Sequence, residues 1–338
     1  MAGRLGSIPL IAFAISLAFL EASAGAQTRI TIGVAAMSPR TIPLLLAQEQ
    51  GLFARQGIDA RIVLIKGAPI LVASLISGDL DIGYTGGTAV LGAAASGVYL
   101  KILSSISSKL THTMLAHPSL KTAEQLRGKR FGIQSMGGTT WMHTILALEH
   151  VGLDVKRDNI SILIIGDSVL IGQSLEVSRI DAAVLDGVLA RRLINKGFSV
   201  IVDLTPANIP MVNQAVVVAP DFVQKRPELA ERILMVLVDS LAFTLAPMNK
   251  SVVIKTIMRR LQIDDPKVGE EGYQDLMTSI ERKPFPSLEG LRNIRRLMST
   301  QNPKAANVKV EELIDARLIR KLDENGYMDK VAAGYGLK

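Results

Sequence analysis

Residues 60–87 read ARIVLIKGAPILVASLISGDLDIGYTGG, and this stretch decides the fold. ARIVLIKG (60–67) is a short β-branched apolar run, the signature of a buried strand. APILVASLISG (68–78) has the length and small-residue content of a helix ending at glycine, and LDIGYTGG (80–87) is a second strand that runs into a glycine pair. Upstream, RITIGVAA (29–36) adds a strand, followed by an apolar helical stretch from Thr41 to about Arg55. The order is βαβαβ, which implies an α/β fold with a parallel sheet and right-handed crossovers.

The same order returns about one hundred residues later. KRFGIQ (129–134), a helix from Thr139 to His150, NISILIIG (159–166), a helix near Val169 to Val177, and RIDAAVLDG (179–187) repeat the unit. At that offset Leu46, Ala47, Glu49, Ile62, Ile65, Ser74, Leu75, Asp81 and Gly87 meet identical residues, and the matching order of elements carries more weight than these identities. Between the units, THTMLAHPSLKTAEQLRG (111–128) reads as a strand that gives way at Pro118, with Thr122 and Gln125 as a capping box. NQAVVVAP (213–220) is another strand, and the two extended crossings look like a hinge. From Pro227 the pattern is helical: 227–246, 252–261, 288–298 and 310–326, each with an ordinary helical stripe suited to covering a lobe. The expected division is residues 27–115 with 218–338 as one lobe and 116–217 as the other.

Arg4 precedes LIAFAISLAFL (10–20) and ASAGAQ (22–27), the pattern of a secretory signal peptide over residues 1–26. Its apolar core is short for a membrane span, so the mature chain is expected to be soluble outside the cytoplasm, in the periplasm of a Gram-negative host. Zero cysteine excludes disulfides, thiol nucleophiles and iron–sulfur ligation. The net charge of +7 comes from scattered Lys and Arg with few aromatics, so no nucleic-acid partner is expected.

In parallel sheets, ligands bind where strand carboxyl ends meet helix N-termini. In the first lobe those ends are the loop Met37-Ser38-Pro39-Arg40, Lys66-Gly67-Ala68 and Thr85-Gly86-Gly87-Thr88; in the second they are Gln134 to Trp141, Gly166-Asp167-Ser168 and Asp186-Gly187. Ser38, Thr88, Thr139 and Thr140 fall at or just before helix starts, where a hydroxyl caps the helix or, with adjacent N–H groups, grips an oxyanion. Converging on one cleft, they favour the grip. Arg40 and Lys66 either add charge or are solvated. Trp141, the only tryptophan, packs in the core or stacks on a ligand. Asp186 accepts from a ligand amine or caps the next helix. The two Gly-Gly-Thr turns (86–88 and 137–139) do not align at the hundred-residue offset, so they are expected to face each other across one cleft rather than duplicate each other.

Enzyme readings are poorly served. Neither turn fits a P-loop. SILIIGDSVL (161–170) is similar to the turn of GDSL hydrolases, with Ser168 as nucleophile, but that family's histidine base lies near the C-terminus and all four histidines here precede Ser168. His143 and His150 stand two helical turns apart, about 10 Å, too far to share one metal ion unaided. No catalytic residue, metal or cofactor is expected.

The chain resembles the type II periplasmic solute-binding proteins of the nitrate, sulfonate, taurine and thiamine-precursor class. The resemblance is carried by TIPLLLAQEQGLFARQGIDARIVLIKG (41–67), ASLISGDLDIGYTGG (73–87), SLKTAEQLRGKRFGI (119–133) and DFVQKRPELAERIL (221–234), in that order and spacing. It implies a two-lobed type II periplasmic-binding-protein fold with a hinge of two crossing strands and C-terminal helices on the first lobe. It also implies a monomeric, non-enzymatic receptor that captures a small polar or anionic solute, such as a sulfonate, nitrate, carboxylate or pyrimidine precursor, and delivers it to an ABC permease and its ATPase. A receptor for a sensor or another transporter keeps the same fold. The implied contacts are Ser38 to Thr41, including Arg40; Thr85, Gly86, Gly87 and Thr88; Ser135, Gly138, Thr139, Thr140 and Trp141; and Asp186. Where relatives often carry an aromatic residue after the second lobe's third strand, this chain has VLDGVLA (184–190), and the cysteine-rich iron motif of pyrimidine-synthesising relatives is absent.

Overall fold

The computed structural model describes residues 27–35, 37–65 and 67–337. The expected signal peptide and Lys66 lie outside the described residues.

Strand β1 (Thr28–Val34) passes through a short 3-10 turn at Pro39–Thr41 into α1 (Ile42–Glu49), α2 (Leu52–Arg55), β2 (Ile58–Leu64), α3 (Ala68–Ser77), β3 (Ile82–Thr85) and α4 (Gly87–Ala95). The single helix expected from Thr41 to Arg55 is broken because Gly51 takes φ +67°, a left-handed conformation that glycine adopts without a Cβ clash. Next come β4 (Lys101–Lys109), β5 (His112–Ala116), β6 (Arg130–Ile133), α5 (Thr139–His150), β7 (Ser161–Ile164), α6 (Ser168–Glu176), β8 (Ala182–Asp186), α7 (Gly187–Asn195), β9 (Ser199–Asp203) and β10 (Pro210–Val218). The repeat is real in three dimensions: α3 and α6 start at residues 68 and 168, and α4 and α7 at 87 and 187. The Thr122–Gln125 capping box is formed and starts a 3-10 turn at Ala123–Leu126.

Two five-stranded sheets result, in the orders β2-β1-β3-β10-β4 and β7-β6-β8-β5-β9. The first three strands of each are parallel. The sheets are nevertheless mixed, not parallel throughout as the βαβ reading implied, because β10 runs antiparallel between β3 and β4 and β5 antiparallel between β8 and β9. By strand pairing the chain leaves the first sheet between Lys109 and His112 and returns between Asp203 and Pro210, several residues before the 115/116 and 217/218 divisions expected from the sequence.

The C-terminal helices are α8 (Phe222–Lys225), α9 (Pro227–Leu245), α10 (Lys250–Leu261), α11 (Pro266–Ser279), α12 (Leu288–Ser299), α13 (Arg317–Glu324) and α14 (Tyr327–Gly334). The helix expected over 310–326 is a 3-10 turn at Val310–Leu313 followed by α13. Along α9, Leu229, Ile233, Leu237 and Leu241 repeat every four residues and are buried with Leu44 of α1 and Ile32 of β1. Each such side chain contributes about 1.5–3 kcal/mol on burial, so this face anchors the helices on the first lobe. Helix α11, unexpected from the sequence, reaches across to the second. A Cβ on its Gly272 would fall 2.4 Å from Val188 of α7, so the glycine that weakens the helix signal is what permits the contact. A second apolar cluster runs from Leu91 and Val212 of one lobe to Phe131 and Trp141 of the other. No helix among the described residues is long and apolar enough to cross a membrane.

Candidate functional site

The third strand of each unit ends at the line between the lobes. Strand β3 delivers Thr85 and Gly86 to the start of α4, and β8 delivers Asp186 to the start of α7. From the second lobe, the loop after β6 delivers Gly138 to the start of α5. Thr88 Oγ1 and Thr139 Oγ1 lie 2.6 Å apart, so the two Gly-Gly-Thr turns touch across the cleft. A Cβ on Gly86 would lie 3.1 Å from the Asn213 carbonyl oxygen and 3.5 Å from Thr139 Oγ1, and one on Gly87 would press on Ile294 and Val212 at 2.8 and 2.9 Å. Glycine is what lets the first turn pack against β10 and α12 of its own lobe, while the contact with Thr139 is an ordinary one.

The helix-capping alternative fails for these threonines. The N-cap positions of α4 and α5 are Gly86 and Gly138, and neither helix has a side-chain cap. Ser38 likewise makes no capping bond; its hydroxyl sits 3.5 Å from that of Thr41, which is fully buried.

Arg40 is not solvated. Its Nη2 donates to Asp186 Oδ2 at 2.5 Å, each side chain is only 10% exposed, and the pair joins one lobe to the other. The Tyr84 hydroxyl donates to the Arg40 carbonyl at 3.1 Å and fixes the loop that presents the guanidinium. Asp186 occupies the N-cap position of α7 but makes no side-chain cap bond there, so its carboxylate is committed to the cleft.

Beside the pair lies a network that the sequence reading missed. His112, register partner of Asp186, meets His143 with ring centroids 3.9 Å apart. His143 Nε2 is 2.8 Å from Asn213 Oδ1; because Asn213 Nδ2 donates to the Lys109 carbonyl at 2.6 Å, the amide oxygen must accept and the imidazole must donate. Burial, then the nearby Arg40 charge, hold the His143 pKa down to about 4. Burial first, then His143 and Arg40, hold His112 well below its ordinary value. Both rings are therefore neutral at neutral pH, and the charges facing each other here are Arg40 and Asp186. One signal was available: His143 follows Thr139 by four residues and so shares its helix face.

Polar atoms without partners gather on the Asp186 side. Thr111 Oγ1, His112 Nδ1 and Asp275 Oδ2 are buried and make no hydrogen bond. Thr111 and Asp275 line, with Thr113, Arg191 and Asp203, a small polar recess of about 20 Å³ that adjoins Gly187. Asp275, on α11, stands 3.7 Å from Arg191, and burial raises its carboxyl pKa.

Three expected contacts are placed elsewhere. Ser135 is exposed and its carbonyl receives the Gly138 N–H at 3.2 Å, closing a turn in which Gly137 has φ +69°. Thr140 Oγ1 accepts the Gln134 N–H at 2.8 Å. Trp141 is 3% exposed and packs in the apolar cluster. These residues shape the turn that carries Thr139. Ser168 opens α6, where Asp167 caps the helix by accepting from the Leu170 N–H at 3.0 Å; that helix start accounts for the GDS motif.

The wider closure includes Arg296 of α12, bidentate to Glu149 of α5 at 2.9 and 2.8 Å. Both side chains are about half exposed, so this pair is worth at most about 1 kcal/mol. The apolar contact of α11 with α7 holds the lobes more firmly.

Similar architecture recurs in known proteins. The periplasmic aliphatic sulphonate binding protein of Escherichia coli superposes with a TM-score of 0.66 at 18% identity, covering 85% of this chain and 92% of that one. The periplasmic nitrate-binding protein of Synechocystis gives 0.67 at 14% identity and 91% of both chains. These likenesses establish the periplasmic-binding-protein fold. A Brucella abortus protein provisionally named a binding protein is 30% identical over 174 residues, 51% of this chain and 53% of that one, so the match spans about half the length of the curated relatives. The profile of the NMT1-like family covers residues 23–258, well over half of the sequence, and the chain belongs to that family.

Proposed function

We propose that this chain is the solute-binding protein of an ABC importer, capturing a small polar solute between its two lobes outside the cytoplasm. The observation that carries this reading is the meeting of Thr88 with Thr139 and of Arg40 with Asp186, each pair joining residues carried by different sheets. Such a junction is complete only when the lobes are together, and a solute held there gains contacts from both lobes in the closed state alone; that differential contact is what drives closure. The fold neighbours named for sulphonate and nitrate binding support the importer class. Ser38, Arg40, Thr41, Thr85 to Thr88, Thr139 and Asp186 are the proposed contacts, with Ser135, Gly138, Thr140 and Trp141 shaping their loop.

Pseudo-symmetry supports a permease as partner. Leu64 and Ile164 end the outer strands of the two sheets, Ile70 and Leu170 lie in the first turns of α3 and α6, and all four are exposed. The hundred-residue offset pairs them, as suits a two-fold partner. Isothermal calorimetry against small sulfonates, nitrate, carboxylates and amino acids, read with small-angle scattering, tests the receptor reading: a solute must bind, and its complex must be as compact as the form in which both pairs are made. A complex wider than that form would point away from capture between the lobes.

A further inference from the structure

The receptor reading leaves the solute's charge open, and the junction's two poles carry that question further. On one side stand donors: the Arg40 guanidinium and the hydroxyls of Thr88 and Thr139 at the N-terminal turns of α4 and α5. On the other stand Asp186 and the unpartnered buried oxygens Thr111 Oγ1, on a residue only 9% exposed, and Asp275 Oδ2. Arg40 and Asp186 are each other's partner, deep in the cleft. A simple anion inserted between them would satisfy Arg40 and leave a buried carboxylate with nothing to neutralise it, a costly arrangement. An amine alone would strand Arg40 in the same way. Only a solute bearing both charges replaces the ion pair without an orphan.

We propose that the solute is dipolar, its carboxylate or sulfonate held by Arg40, Thr88 and Thr139 and its protonated amine held by Asp186 on the side of Thr111 and Asp275. Asp186 is then the residue that rejects plain anions, and the neutral imidazoles of His112 and His143 add no charge beside the pair. The recess beside Gly187, about 20 Å³, takes an ammonium-sized group and little more.

This assignment rests on the receptor reading, and one calorimetric panel separates the two. The purified protein is titrated with glycine, β-alanine, γ-aminobutyrate and the matching aminosulfonates, with the corresponding carboxylates, alkanesulfonates and alkylamines, and with nitrate and a neutral formylaminopyrimidine. The expected result is one dipolar member binding at least about 100-fold tighter than its acid and amine analogues. Asp186→Asn, checked for folding by circular dichroism, should erase that margin and favour the acid; if this variant does not fold, the wild-type panel decides. A plain anion or neutral solute binding as tightly as any dipolar one overturns the charge assignment and leaves the receptor intact. Failure of every compound to bind overturns the receptor reading and this inference with it.

Discussion

Replacing Asp186 by leucine leaves Arg40 buried without a counter-charge. Both side chains are 10% exposed, so solvent screening offers little relief, and breaking such a pair from one side costs about 3–5 kcal/mol. Replacing both partners, Arg40→Met with Asp186→Leu, removes the stranded charge along with the pair, and substitutions of this kind are commonly neutral or stabilising. The double variant should therefore be more stable than the Asp186→Leu single, with a coupling of several kcal/mol in a double-mutant cycle. Urea unfolding measures it. The single variant has one escape: parting the lobes lets the guanidinium reach water, which trades stability for a larger radius of gyration in small-angle scattering. An Asp186→Leu variant that loses less than about 1 kcal/mol and keeps the wild-type radius would show that the pair is not a buried, lobe-joining one.

Acid should weaken the fold through the buried histidines: unfolded imidazole titrates near 6.5 while His143 is held at about 4, so stability is kept above pH 6.5 and drains as pH falls toward 4, by about 2 kcal/mol at pH 5 from His143 alone. Urea midpoints across that range should flatten in a folded His143→Gln variant. Gly290→Ala would set a Cβ 2.6 Å from the Met211 carbonyl carbon, whereas Gly92→Ala meets nothing within 4 Å; the first should destabilise by about 1–3 kcal/mol and the second stabilise by about 0.5–1 kcal/mol, read from the same unfolding curves. Thr88→Val should cost only about 1 kcal/mol, since a neutral hydroxyl pair is modest in net worth, yet weaken solute binding by a larger factor in calorimetry. Trp141, buried in the second lobe, should emit as a shielded indole and resist iodide quenching until the lobe unfolds.

The βαβ alternation was legible because strand and helix periods are written locally, and the α5 start at Thr139 follows directly from the glycine pair before it. What the sequence concealed was non-local. Strand β4, KILSSISSK, carries four serines and gives no apolar run, although its Ser104, Ser105 and Ser107 are buried. Helix α11 contains Gly269 and Gly272, which weaken its signal and are needed for packing on Met258 and Val188. Arg40 and Asp186 were legible as candidates, yet nothing local reveals that residues 146 positions apart neutralise each other. The histidines were weighed only as catalysts or ligands, because their tilted ring contact depends on β5 entering the second sheet antiparallel to β8.

On the proposed function, the Gly-Gly-Thr turns of the two lobes close on each other over a solute. The natural chain has no cysteine, so a Thr88→Cys/Thr139→Cys variant carries one possible disulfide, and hydroxyls 2.6 Å apart put their Cβ atoms within reach of its geometry. Mild oxidation should yield a folded monomer lighter by two hydrogen atoms, with a wild-type melting profile and no remaining solute exchange. A pair of thiols that stays reduced, or a cross-linked protein that still exchanges solute freely, would contradict this closure.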